Sequence, residues 1–244
     1  KGSDSVRSII SKDSKNISSF LLRYWNSCHF PKTTKKKFYK SVSSEIKIKD
    51  KDDFLGFLDT LIEHAKYHQR IVDPVPPARG STQLEINIYT ALQNLNRLGV
   101  AQHVPLLMAS MDTYGINDND LLRIIKFIET VFVRWNIAKD GSPSRMENNY
   151  VKWAVKLREK GSSYIEDMVR EAEEIIQCDD ELFEDMMAKV KMTDSNRIKY
   201  VRCSCLRPHT QLQHLYLWSA YPESSACDIT IARNFSEIPG SFRT

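Results

Sequence analysis

The chain has few of the residues that interrupt helices, and it has no long apolar run. Its 244 residues include only 8 glycines and 9 prolines, and strand-like alternation of apolar and polar residues is nearly absent. No stretch approaches the roughly 18 consecutive apolar residues of a membrane span. The first residues lack the apolar core of a signal peptide, and five cysteines, an odd number, favour reduced thiols over a disulfide framework. These absences predict a helical, cytoplasmic protein with no membrane partner.

Apolar residues recur at helical spacing along most of the chain. We expect an all-α fold, a bundle-like domain of about nine to eleven helices with an irregular C-terminal tail. Residues 14–206 should be at least about 60% helical. The expected core residues are Phe20, Leu58, Leu92, Leu107, Ile125, Phe132, Leu157 and Val169.

Turn residues and capping residues divide the chain. Pro74, Pro76 and Pro77, with Gly80, form the clearest linker. It separates a basic helical part, residues 1–78, from a central helical part, residues 79–206, that is expected to pack with it as one domain. Residues 207–244 form the irregular tail. The predicted helix starts are Thr33 or Thr34, Asp52 or Asp53, Ser81 and Asn117.

Positive charge is concentrated near the start of the chain. Residues 1–51 carry 13 Lys and Arg against 4 Asp and Glu, a balance of +9, while the whole chain carries +4. Lys35, Lys36, Lys37 and Lys40 open one predicted helix, next to the aromatic residues Phe30, Phe38 and Tyr39. Such a cluster can follow a phosphate backbone. The plainer interpretation, a solvated helix face, is the commoner case for a run of charges.

Several short motifs resemble the helical region of GmrSD-type restriction endonucleases. They occur in the family's order over residues 15–202, and they are Phe20-Leu21-Leu22-Arg23-Tyr24-Trp25, Lys36-Lys37-Phe38-Tyr39, Pro105-Leu106-Leu107-Met108-Ala109, Phe132-Val133-Arg134-Trp135 and Arg197-Ile198-Lys199-Tyr200-Val201. In that family the helical region lies between a nucleotide-hydrolysing module and an HNH nuclease module, and the proteins cut foreign DNA in bacterial defence.

The family's catalytic signatures are missing from this sequence. The Asp-Gly-Gln-Gln-Arg-Leu signature of the first module has no match, and the Glu-His-Ile-x-Pro signature of the nuclease has none either. The nearest string is Gln213-His214-Leu215-Tyr216-Leu217. The resemblance therefore implies a non-catalytic helical part of a defence endonuclease. It predicts no catalytic residues, no cofactor, weak sequence-independent contact with DNA, and contact with other modules of the parent protein.

Other polar residues give weaker signals. His64 and His68 have a metal-binding spacing but lack the zinc-protease glutamate between them, so an ordinary surface or boundary pair is preferred. Arg134 follows Phe132 and Val133, and we expect a structural ion pair, with Glu129 and Glu147 as the acids considered. Cys28 and Cys178 lie on apolar stripes and are predicted core residues.

The tail allows three interpretations. Lysine disappears after Lys199, and helical periodicity ends. Cys203, Cys205, His209, His214 and Cys227 could ligate zinc, but Cys-x-Cys is tighter than the usual ligand spacing, so no metal site is predicted. A degenerate start of the nuclease module is the second interpretation. A truncated or out-of-frame end is the third, and it fits best.

Three functions remain open from the sequence. The first is the helical part of a GmrSD-like endonuclease, the second is a nucleic-acid-binding helical module, and the third is a protein-interaction scaffold unrelated to DNA.

Overall fold

The chain folds into α-helices joined by short loops. The computed structural model describes residues 14–45, 50–99, 101–138 and 141–189, and 80% of these are helical, with no strand among them. Nine α-helices lie in these ranges: α1 Ser14–Cys28, α2 Lys35–Glu45, α3 Lys51–Val72, α4 Gln83–Arg97, α5 Val104–Asp112, α6 Asp118–Phe132, α7 Pro143–Lys160, α8 Ile165–Ile176 and α9 Asp180–Lys189. The all-α prediction is confirmed. The last part of the range predicted to be helical, residues 190–206, lies outside the described residues.

Helix α5 is the centre of the bundle. Its residues from Val104 to Ser110 are all buried, which is what a helix that is apolar on every side requires. Helices α1, α3, α6 and α7 all pack on it. Helix α4 packs on α6, and α8 packs on α6 and on the short 3-10 turn that follows α7. None of the helices in the described ranges combines the length and the apolar character needed to cross a bilayer.

Most of the expected core residues are buried. Phe20, Leu92, Leu107, Ile125, Phe132 and Leu157 have 5% or less of their surface exposed. Leu58 and Val169 are only half-buried, so their placement in the core was wrong. Leu58 belongs to the first half of α3, where Phe54 and Leu55 are each 45% exposed. The buried residues of α3 lie further along the helix, from Leu61 to Ile71.

Local polar contacts shift two helix starts from their predicted positions. Helix α3 is capped by Asp50, whose carboxylate accepts from the amides of Asp52 and Asp53 at 2.9 Å. Helix α4 begins after Thr82, which forms a reciprocal capping box with Glu85. The predicted caps Asp52, Asp53 and Ser81 were therefore wrong by one to three residues. Asn117 caps α6 as predicted, accepting from the amides two and three residues ahead.

Candidate nucleic-acid interface

Helix α2 is held in place by the chain that precedes it and by one aromatic contact. Asn26 of α1 and Thr33 exchange two hydrogen bonds, of 2.8 and 3.1 Å, which fix the connection between α1 and α2. The ring of Phe38 meets the indole of Trp25 edge-on, with centroids 6.1 Å apart. These contacts set which side of α2 faces the bundle. Phe38 and Val42 lie on that side but are only half-buried, and no residue of α2 is buried.

The four predicted lysines lie together on α2, and all are exposed. We call Lys35, Lys36, Lys37 and Lys40 the lysine face. At 3.6 residues per turn, Lys36, Lys37 and Lys40 point away from the side that carries Phe38, while Lys35 lies at its edge. Within the described ranges no ion pair or hydrogen bond joins their ammonium groups to an acid. Their charge is therefore available to an external anion.

Two of the aromatic residues noted beside the lysines are exposed as well. Tyr39 has 82% of its surface exposed and lies within the lysine face. Phe30, in the loop before α2, is 54% exposed. Phe38 differs, because its edge is occupied by Trp25. Phe38 therefore packs against the bundle, whereas Tyr39 and Phe30 are accessible to solvent.

A largely buried polar network joins α1, α3, α5 and α7. Arg158 donates to the Ser27 carbonyl at 2.8 Å and to the Ser27 hydroxyl at 3.3 Å. It also bonds the Asp112 carboxylate, and its Nη2 lies 3.2 Å from Nε2 of His64. Hydrogen bonding from His64 and Arg158 holds the pKa of Asp112 well below its usual range. The sequence contains no signal for Arg158 or for its pairing with Asp112.

Arg23 and two histidines form a second buried group. Nη1 of Arg23 lies 2.9 Å from Nε2 of His68, so that nitrogen accepts the hydrogen bond. Burial, and to a smaller extent the charge of Arg23, lowers the pKa of His68 to about 4 and that of His103 to about 3. Both ring nitrogens of His103 lack a hydrogen-bond partner in the described ranges. The histidines are therefore neutral at neutral pH.

The prediction that His64 and His68 form an ordinary surface or boundary pair was wrong, because both side chains are buried. Their side chains are 3% and 4% exposed, because α1 and α5 cover this side of α3. Nδ1 of His64 lies 2.9 Å from the Thr60 carbonyl and must carry a proton to donate to it. Both rings are thus engaged by protein groups. No three His, Cys, Asp or Glu side chains in the described ranges cluster closely enough to hold a metal ion.

Arg134 forms the expected structural ion pair, but with a different acid. A π-helical turn, Val133–Ala138, continues α6 and directs the guanidinium toward α9. There it bonds the Asp180 carboxylate and the Cys178 carbonyl, and it lies 5.1 Å from the centre of the Phe183 ring. Glu129 and Glu147, the two acids considered, are not its partners in these contacts. Cys178 is buried as predicted, whereas Cys28 is only half-buried.

The irregular tail, residues 207–244, lies outside the described residues. Cys203, Cys205, His209, His214 and Cys227 lie outside the described residues. Among the sequence-predicted residues, the structure brings together the lysine face alone as a surface that could bind a ligand. No protein-family model, no curated protein and no solved structure matches the chain.

Proposed function

We propose that this chain is a non-catalytic helical module that binds nucleic acid through the lysine face, without reading base sequence. The observation that carries the proposal is the arrangement of α2. Its four lysines are exposed, they lack acidic partners in the described ranges, and the same helix has no buried residue. Phosphate contacts of this kind give affinity but no sequence information.

The salt dependence expected from this surface can be calculated. For duplex DNA the logarithm of the binding constant falls with the logarithm of salt concentration by about 0.9 per phosphate contact. Three or four contacts therefore predict a loss of roughly 40- to 150-fold between about 50 and 200 mM salt. A smaller loss would mean that fewer lysines touch phosphate.

We further propose that the parent protein is a GmrSD-like restriction endonuclease acting in the cytoplasm against foreign DNA. The support is the ordered series of short motifs over residues 15–202. Because both catalytic signatures are absent from the sequence, we expect the purified chain to show neither nucleotide hydrolysis nor DNA cleavage with magnesium or manganese. Cleavage that is lost when His209 or His214 is changed to Ala would contradict this.

The test of binding is fluorescence anisotropy with a labelled duplex of about 20 base pairs at low and moderate salt. The variant carries Lys35→Glu, Lys36→Glu, Lys37→Glu and Lys40→Glu. The matched control carries the same change of charge at four exposed cations elsewhere: Arg70→Glu, Arg79→Glu, Arg97→Glu and Lys160→Glu.

The two variants separate local contact from net charge. We expect the lysine-face variant to lose binding and the control to keep most of it, because only the first removes ammonium groups from the contact surface. Equal binding by the lysine-face variant and the unchanged protein would refute the proposal and favour a protein-interaction scaffold. Equal loss in both variants would show attraction by overall charge without a defined surface.

A further inference from the structure

Tyr39 is the most exposed aromatic side chain on the basic part of the protein. Of its surface, 82% is exposed, although its helix offers a sheltered side where Phe38 contacts Trp25. A phenol ring carries a large apolar area, and within the described ranges little of that of Tyr39 is covered. A solvent-exposed aromatic ring is unremarkable when it stands alone. The neighbours of Tyr39 set it apart.

The lysine face surrounds Tyr39 on the helix. Lys35 and Lys36 lie four and three residues before it, one turn away on the same side, and Lys40 follows it directly. Side chains three or four residues apart on a helix have Cβ atoms about 5–6 Å apart, so the ammonium groups of Lys35 and Lys36 lie within reach of the ring. A ring flanked by ammonium groups at this distance can stack on a base while the lysines bind the phosphates on either side of that base.

Duplex DNA cannot use this arrangement fully. Its bases are already stacked inside the double helix, so their faces are closed to a side chain on a helix that follows the backbone. An unpaired strand presents both its phosphates and its base faces. We propose that the lysine face together with Tyr39 is a single-strand binding site, in which Tyr39 stacks on an unpaired base of DNA or RNA. This inference rests on the proposed function, because it requires the lysines to contact phosphate.

The energetic consequence follows from stacking. Removing an aromatic side chain that stacks on a base weakens binding to single strands by roughly 5- to 150-fold. Since one ring is involved, we expect a loss near the lower end, about fivefold or more. Tyr39→Phe keeps the ring and should keep the affinity. Tyr39→Ala removes an exposed side chain without opening a cavity, so the protein should remain folded.

The experiment uses the full chain and three labelled probes: oligo-dT, oligo-rU and a duplex, each of about 20 nucleotides per strand. Anisotropy is measured for the unchanged protein, Tyr39→Ala, Tyr39→Phe and Tyr114→Ala. Tyr114 is the matched control, because it is 99% exposed but lies in the loop between α5 and α6 and not on α2. An oligo-dT with one 2-aminopurine reports stacking directly through its fluorescence.

The expected result is specific to one residue and one type of ligand. Tyr39→Ala should weaken binding of oligo-dT and oligo-rU, leave duplex binding unchanged and abolish the 2-aminopurine response, whereas Tyr114→Ala should change nothing. Loss for only one of the two single strands would restrict the site to DNA or RNA. Single-strand binding unchanged by Tyr39→Ala overturns the inference, and so does an equal loss on duplex and single strands.

The inference and the proposed function fail in different ways. If Tyr39→Ala has no effect while reversal of the lysine face abolishes binding, the phosphate-binding function stands and the stacking role is wrong. If reversal of the lysine face also has no effect, or the unchanged protein binds none of the probes, both are wrong.

Discussion

Arg158 connects four helices, and its replacement by methionine tests what that connection contributes to stability. From α7 its guanidinium reaches Ser27 of α1, Asp112 at the end of α5 and His64 of α3. Methionine preserves much of the aliphatic stem and removes every hydrogen bond. The Arg158 side chain is 20% exposed and that of Asp112 is 31% exposed. The pair is therefore neither fully buried nor freely solvated.

The expected loss lies between the values for buried and for surface pairs. Removing one partner of a buried ion pair costs about 3–5 kcal/mol, because the other charge is left without compensation. Exposed pairs contribute about 0–1 kcal/mol. For Arg158→Met we expect a loss of about 2–3 kcal/mol, since Asp112 can recover some solvation through its exposed edge. In a chain of this size, that corresponds to a fall in Tm of roughly 5–10 °C.

The assay is thermal and chemical unfolding followed by circular dichroism, with Arg170→Met as the control. Arg170 is 72% exposed and, within the described ranges, pairs with Asp167, three residues away on the same helix, so its loss should cost little. A double-mutant cycle with Asp112→Asn should give a coupling free energy of about 1–2 kcal/mol. If Arg158→Met and Arg170→Met change Tm by the same amount, the stabilising role assigned to the buried network is wrong.

Two further changes can be checked by the same unfolding measurements. A Cβ at Gly141 would lie 2.6 Å from Nε1 of Trp135, whereas nothing lies within 4 Å of one at Gly56 in α3. We therefore expect Gly141→Ala to lower the free energy of unfolding by about 1–3 kcal/mol. Gly56→Ala should raise it by about 0.5–1 kcal/mol. A change of the same sign in both variants would contradict these expectations. Burial lowers the pKa of His103 from 6.5 to about 3. Below pH 6.5 the unfolded chain therefore takes up a proton that the folded chain does not. The free energy of unfolding falls as the pH falls. His103→Leu should reduce the loss between pH 7 and pH 5 by up to about 2 kcal/mol, and an equal loss in both proteins would rule this out.

The sequence predicts α5 and α6 well because local chemistry determines both helices. Pro105 occupies a first-turn position, where its missing amide is not needed, and Asn117 supplies the side-chain oxygen that the first amides of α6 require. The apolar stripe of α6 matches its buried face at Leu121, Ile125 and Ile128. Neither helix depends on distant residues for its start.

The buried network could not be predicted, because its members are distant in sequence. Arg158 lies 46 residues from Asp112 and 131 from Ser27, and no spacing rule connects them. The burial of His64 and His68 could not be predicted for the same reason. Their i, i+4 spacing is equally compatible with a surface pair, and only the packing of α1 and α5 over α3 decides that they are buried. Single-sequence patterns identify faces of helices but not the partners of those faces.

The four lysines of the lysine face differ from the buried arginines in their contacts with the rest of the protein. Arg158 and Arg134 each bond a carboxylate on another helix and a backbone carbonyl, so contacts within the fold already compensate their charges. The lysine face makes no such contact in the described ranges, and α2 buries no residue. Reversing exposed charges usually changes stability by less than about 0.5 kcal/mol each. The lysine-face variant should therefore unfold close to the unchanged protein while losing nucleic acid, and Arg158→Met should unfold early while its folded form still binds. If lysine reversal instead lowered stability as much as Arg158→Met, those charges would serve the fold rather than a ligand.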